Sequence, residues 1–408
     1  MKPITPRWAA VVVAGVLLLT LLTGFGEPAT TAPRADATVP VIDPAARPHP
    51  PARVVKKRKI APGLTFTRII QRKIPRRTFI LRIDPTKAVS LDVALAEHTL
   101  PARDTVLAMA KANEALAAVN GDFTDPDIGR PTHPFAVDGE LVQTAVQRGP
   151  LFALARDERT AFLGKPDLRI SISDRSEGRS WRVDRWNQGP PAPGEIAGYS
   201  AVGGTLEMPP DSACSVRLLP EGPRSLDPDG DGVVQDYVVD VAECANVPMT
   251  RGGGIVLSAQ PATDEATQLL ALAPGTPMRL RWSLGWSDVY DVVGGMPILV
   301  QDGRTVTPTC STAFCRANPR TGIGVTGNGG VVLVVVDGRQ PRWSLGPTIA
   351  EFATIMRNLG AVQALNLDGG GSTTMVVEGK VVNRPSDDVQ RHISNAVLVL
   401  PGPDPGEA

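Results

Sequence analysis

Gly330-Val-Val-Leu-Val-Val-Val336, running into Asp337-Gly338-Arg339, is the stretch on which the reading of this chain turns. A segment apolar on both faces belongs in the middle of a sheet that is covered on each side. Its β-branched residues suit a pleated surface. It stops at an acid and a base, which places two charged groups at a strand end. Downstream, Thr348-Ile-Ala-Glu351 has the form of a capping box, and Ile349, Phe352, Met356 and Leu359 then recur at helical spacing until Gly360. A second strand, Ala364-Leu-Asn-Leu367, leads directly into Asp368-Gly-Gly-Gly-Ser-Thr-Thr374. Residues 375–378 and 380–383 read as a hairpin about Gly379. Side chains at strand ends are held by the sheet yet project into open space, where sites are commonly built.

Upstream the elements are shorter. Residues 78–83 and 89–94 show the partial alternation of strands, and Asp104 can cap a helix carrying Val106, Leu107, Ala110 and Ala118. Residues 117–123 read as a small-residue strand ending in an Asn-Gly-Asp loop. The 408 residues are 42% hydrophobic and 21% charged, with 42 Lys plus Arg against 42 Asp plus Glu. Such a composition fills a core. It excludes a dedicated nucleic-acid binder, a wholly disordered chain and a polytopic membrane protein. The expected fold class is α+β: a mixed β-sheet core flanked by helices, in a single domain over residues 61–402 with an excursion at about residues 205–250.

Residues 1–37 read as an export signal, with Lys2 and Arg7 ahead of an apolar run over 9–22 and small residues at Ala35-Asp-Ala37 for cleavage. An uncleaved anchor with the same topology is the alternative. Either reading places the protein outside the cytoplasm, secreted or tethered to a membrane. Residues 38–60 are Pro/Ala-rich and then basic, as expected of a disordered spacer. The basic part fits contact with anionic envelope polymers or a solvated linker entering an edge strand. Four cysteines, Cys214, Cys244, Cys310 and Cys315, permit three pairings. The sequence-local one, Cys214–Cys244 with Cys310–Cys315, is preferred in an exported protein. Asp227-Pro-Asp-Gly-Asp-Gly232 resembles the first half of a calcium loop, so Asp227, Asp229, Asp231 and Asp236 are candidate ligands of a structural calcium. A plain acidic turn is the alternative.

Three consecutive glycines carry a large ordering entropy and remove every side chain. What they offer is close backbone approach, so that successive N–H groups can converge on an anion. Ser372 and Thr373 add hydroxyls and Asp368 a carboxylate. No Gly-Lys-Ser/Thr follows, so this is not a nucleotide-type phosphate loop. Asn366, Asp337, Arg339, Arg320, Asn383 and Arg391 stand at similar strand-to-loop transitions, and arginine suits bidentate phosphate contact.

Ala118-Val-Asn-Gly-Asp-Phe123, Gly294-Gly-Met-Pro-Ile-Leu-Val-Gln-Asp-Gly303, Pro319-Arg-Thr-Gly-Ile-Gly324, Val335-Val-Asp-Gly-Arg339, Leu365-Asn-Leu-Asp-Gly-Gly-Gly-Ser-Thr-Thr-Met375 and Val382-Asn-Arg-Pro-Ser386 with Arg391 follow one another along the chain. Together they resemble the phosphodiester glycosidase family over roughly residues 61–400. The resemblance implies a secreted hydrolase that removes a sugar joined through its anomeric oxygen to a phosphodiester, acting on a sugar-phosphodiester glycan or envelope polymer. By motif position it implies Asp368 as the principal carboxylate and Asp337 as a second carboxylate or orienter. Asn120, Asp122, Arg320, Arg339, Asn366, Gly369, Gly370, Gly371, Ser372, Thr373, Asn383 and Arg391 would surround the substrate.

A glycosyl phosphate already carries a good leaving group, so the chemistry asks for an anion cradle and a carboxylate, and for no cofactor. Asp337 reads equally as the cap of an Asp-Gly turn, and Arg391 as half of a structural ion pair. The rival class is a non-catalytic module that binds envelope glycopolymer, associated with exopolysaccharide. Neither nucleic acid nor a stable protein partner is expected. His98, His133 and His392 read as surface residues, of which only His133 is placed to touch substrate. Trp181 and Trp186 read as packing residues or sugar platforms.

Overall fold

The structure, a computed structural model, describes residues 53–402 apart from 146, 205–211, 246, 250–253 and 307–310. The export signal, the spacer up to residue 52 and Cys310 lie outside the described residues. Among these residues stand three short α-helices, Val106–Ala112, Asp264–Leu270 and Ile349–Asn358. The strands form sheets of eight, nine, five and five members. The chain is therefore predominantly β, and the expected helix-flanked mixed α+β core is corrected. A single pairing among the described residues is parallel, between Arg185–Trp186 and Ala197–Ser200. The physical reason lies in the 40 glycines and 39 prolines. They break the chain into short strands joined by turns and leave few runs long enough for a helix.

In the eight-stranded sheet, Val331–Val336 lies between Arg76–Ile83 and Arg320–Thr326 and is antiparallel to both. All six residues are buried, as a two-faced apolar run requires. Val332, Val334 and Val336 pack with Phe352 and Met356 of the helix Ile349–Asn358. Val331, Leu333 and Val335 join the main core with Ile323 and Leu365. The helix starts with the expected capping box, in which Glu351 N donates to Thr348 Oγ1 at 3.2 Å and Thr348 N donates to Glu351 Oε2 at 2.9 Å. The outermost strand, Arg53–Ala61, pairs with Leu64–Gln71. Residues 53–60, given to the spacer by composition, thus form a sheet edge, with Lys56, Lys57 and Lys59 exposed.

One five-stranded sheet runs in the order Lys380–Val381, Met375–Val377, Ala117–Asn120, Asn395–Pro401 and Val89–Leu95. It sets Val119 opposite Met375 and Asn120 opposite Ala396. The Asn-Gly-Asp loop is thereby carried to the triglycine segment. In the nine-stranded sheet, Cys214–Pro220 and Val233–Glu243 are interior neighbours, so the expected excursion supplies central strands instead. The Cys214–Cys244 disulfide joins their ends, in the expected pairing.

Asp92 and Asp291, on the facing strands Val89–Leu95 and Val289–Gly294, form an acidic pair with no cation beside it among the described residues. Burial pushes Asp92 up to about 7 and Asp291 up to about 8, with Asp92 raising Asp291 further and Asp138 and Glu158 raising both. A carboxyl whose folded pKa is raised holds its proton more tightly than the unfolded chain does. Its contribution to stability is complete below about pH 4 and is lost as pH climbs through 7 to 8. Asp291 Oδ1 accepts a hydrogen bond from Asp138 N at 2.7 Å, which an asparagine can keep. Asp291→Asn should therefore melt several degrees above wild type at pH 8.5 and with wild type near pH 4. Thermal melts across that range check this.

Candidate active site

The strands Ala117–Asn120 and Ala361–Asn366 end side by side. Asn120, fully buried, donates from Nδ2 to the Asp368 carbonyl at 2.7 Å, and its Oδ1 accepts from Thr321 Oγ1 at 2.7 Å and Thr374 N at 3.1 Å. Asp368 N donates in turn to the Gly121 carbonyl at 3.0 Å. Two residues beyond Asn120, Asp122 faces His133, with Oδ1 and Nδ1 2.7 Å apart. The His133 amide donates to Asp122 Oδ2 at 2.8 Å, and both side chains are essentially inaccessible, at 1% and 0%. The ring fits because Gly149 and Gly294 lack side chains. A β-carbon at Gly149 would lie 2.6 Å from Nε2, and one at Gly294 would lie 2.1 Å from the histidine Cβ. His133 also lines a groove of about 1110 Å³. With Nδ1 engaged by Asp122, Nε2 is the ring nitrogen outside that pair. The expected surface placement of His133 is corrected.

Asp368 Oδ1 accepts from Gly369 N at 2.7 Å. Burial pushes the Asp368 carboxyl up to about 6, against the pull of Ser372, the Gly369 amide and Arg391, while Asp122 raises it further. The Ser372 hydroxyl is close enough to exert that pull without reaching hydrogen-bond geometry. Oδ1 of Asn366 and the hydroxyls of Thr373 and Thr374 are buried with no protein partner, so polar capacity remains unspent around this carboxyl.

Four of the five amides of residues 369–373 are bonded within the protein. Gly369 N is taken by Asp368, Gly370 N by the Pro319 carbonyl, Ser372 N by Gly369 and Thr373 N by Gly370. The glycines also admit guanidinium groups. A β-carbon at Gly370, whose φ is +60°, would stand 3.0 Å from Arg339 Nη2, and one at Gly371 would stand 2.2 Å from Arg391 Nη2. Arg391 pairs with Asp387 at 2.6 Å, whereas Arg339 donates from Nε to the neutral Asn318 Oδ1 at 3.0 Å. Arg320, 2% exposed, donates to the Phe314 carbonyl and to the Arg316 carbonyl at 2.8 Å, and lies over the Phe314 ring. It meets no carboxylate among the described residues. Burial and the charge of Arg339 lower its pKa to about 10. Among the described residues Arg320 and Arg339 thus bond only to neutral partners, and Arg391 alone of the three pairs with a carboxylate.

Asp337 is tied to this corner through Asn383. Its carboxylate accepts from Trp343 Nε1 at 2.7 Å, Asn383 Nδ2 at 3.0 Å and Arg384 N at 3.1 Å, and burial raises its pKa against those bonds. Asn383 passes the tie on to the Thr373 carbonyl at 3.0 Å. Asn366 donates to the Met296 carbonyl at 2.7 Å. The four aspartates of the calcium reading do not converge. Asp227 and Asp231 share Arg281, and Asp236 is held by Arg279 and Arg175. Asp229 is exposed, and no group of three or more His, Cys, Asp or Glu suited to a metal occurs among the described residues. Sequence reasoning missed Asn395, whose Oδ1 accepts from Asp122 N at 2.7 Å, and Trp343. The place a β-carbon of Gly121 would take is filled by Asn395 Oδ1 at 2.0 Å, so that glycine was the available signal.

Residues 230–400 match the family model described as phosphodiester glycosidase. That span holds Asp368, the triglycine and the three arginines, while Asn120, Asp122 and His133 precede it. The SPbeta prophage-derived uncharacterized protein YomE of Bacillus subtilis (strain 168) is 35% identical over 103 residues, 25% of this chain and 16% of that protein. The N-acetylglucosamine-1-phosphodiester alpha-N-acetylglucosaminidase of Mus musculus is 36% identical over 87 residues, 20% of this chain and 16% of the mouse protein. The chain thus spans about 16% of the length of these curated relatives. A solved structure described as a putative exported protein from Burkholderia pseudomallei K96243 superposes with a TM-score of 0.58 at 25% identity, covering 80% of this chain and 74% of that one. Residues 230–400 are thus similar to the phosphodiester glycosidase family.

Proposed function

We propose that this protein hydrolyses the bond between the anomeric carbon of a sugar and the oxygen of a phosphodiester. The observation that carries the reading is Asp368, with a pKa of about 6, next to Asp122–His133 on one side and to the guanidinium groups folded over the triglycine on the other. Arg339 and Arg391 offer the phosphate its charge, backed by Arg320. Ionised Asp368 stabilises positive charge growing at the anomeric carbon. His133 Nε2 takes a proton from the attacking water, and Asp122 stabilises the imidazolium so formed. The C–O bond breaks with its electron pair going to the phosphate oxygen. A phosphomonoester departs as the anion, so no strong acid is needed. Asp337 is a positioning residue that fixes Asn383 and through it the turn. The Cys214–Cys244 disulfide suits an oxidising, extracytoplasmic setting. No helix among the described residues is long and apolar enough to cross a membrane.

Asp368→Asn should lower kcat on a synthetic sugar-1-phosphodiester by about 10²–10³-fold, the range for a lost electrostatic stabiliser of the transition state. Because the raised pKa makes the ionised carboxylate a destabilising group above pH 6, the same variant should melt no lower than wild type at pH 7. Near-normal turnover would refute the assignment. In wild type, kcat/KM should rise with pH through about 6 as Asp368 ionises. In oxygen-18 water the label should enter the sugar. Label found in the phosphate would mean P–O cleavage and a different enzyme.

A further inference from the structure

The groove that begins at His133 extends well past a single sugar. It is enclosed by residues 148–151, the strand Arg169–Asp174 with its edge neighbour Ser180–Arg182, and residues 296–298. Its volume of about 1110 Å³ exceeds the roughly 300–1,000 Å³ usual for one small ligand. The side chains of Arg148, Lys165 and Arg169 line it, are exposed, and have no ion-pair or hydrogen-bond partner among the described residues. They are opposed by one free carboxylate, Asp167, since Asp184 is held by Arg182 at 3.0 Å. Arg281 is already neutralised by Asp227 at 2.7 Å and by Asp231. Trp181, half-buried, lines the same groove. Separate unpaired cations along one channel, with an aromatic ring among them, suit a ligand that repeats its charge at intervals.

We propose that the groove holds further repeats of a phosphate-bearing glycan chain, so that the preferred substrate is a polymer of glycosyl phosphate units and not an isolated diester. This inference rests on the reading of the Asp368 corner given above. Each added repeat engages at high effective concentration, so affinity should climb with chain length and fall with salt.

The test uses fluorophore-tagged, phosphonate-linked oligomers of one, two and four glycosyl units, which cannot be cleaved, with anisotropy as the readout. For wild type at low salt, affinity should rise at least tenfold from one unit to four. In Arg148→Ala/Lys165→Ala/Arg169→Ala that gain should shrink below threefold. A four-unit uronate oligomer should bind at least fivefold more weakly. Equal affinity for one and four units would overturn the proposal. So would wild-type binding by a triple variant that melts normally, or tighter binding of the uronate or of single-stranded DNA. Turnover of a single-unit diester by wild type is measured separately. Its absence alongside length-dependent binding would sink the enzymatic reading and keep the groove. Its presence with length-independent binding would sink the groove alone.

Discussion

One side chain amide, that of Asn120, holds the candidate site together. Its nitrogen fixes the Asp368 carbonyl, and its oxygen takes donors from Thr321 and from the backbone of Thr374. Three segments distant in sequence, around residues 120, 321 and 368–374, meet at one buried group. A polar group of this kind is stable in the interior only when all its partners arrive together. The position of the Asp368 backbone is thus set by the same packing that closes the five-stranded sheet against the eight-stranded one. Asp122, two residues along, inherits that rigidity and transmits it to His133.

The charges divide along a simple line. Several carboxylates away from Asp368 are held by hydrogen bonds, as at Asp337, or by arginines, as at Asp227 and Asp236. At the Asp368 corner two of the three guanidinium groups, those of Arg320 and Arg339, bond only to neutral groups among the described residues. Arg339 even adopts a left-handed φ of +59°, a conformation that non-glycine residues rarely hold without surrounding restraint. Local strain and unbalanced charge at one spot are what a protein tolerates where it must bind something else.

Much of the frame was legible because its signals are local. Val331–Val336 had to be covered on both faces, and the Thr348–Glu351 cap and the Cys214–Cys244 pairing each depend on neighbours within a short stretch. The gathering of Asp368 with Arg339 and Arg391 followed from their repeated occurrence at strand ends. What escaped reading depends on distant partners. His133 is buried by Gly149 and by Gly294, which a histidine amid prolines does not announce. The acidic turn near Asp227 looked like a cation site because Arg281, which supplies the positive charge, comes from another strand. The glycines were read for the amides they expose, and the volume they vacate for Arg339, Arg391 and Asp387 was not foreseen. The helix-flanked expectation gave too much weight to one well-capped helix and too little to the glycines and prolines around it.

The outermost strand, Arg53–Ala61, has a consequence for the molecule at high concentration. A sheet ending in unpaired amides and carbonyls invites a second chain to continue it. Here a like chain docking antiparallel along that border would bring Lys56, Lys57 and Lys59 against its own lysines before any backbone bond could form. Repulsion at the rim therefore keeps neighbouring copies apart, and a polyanion that screened those lysines would remove the barrier.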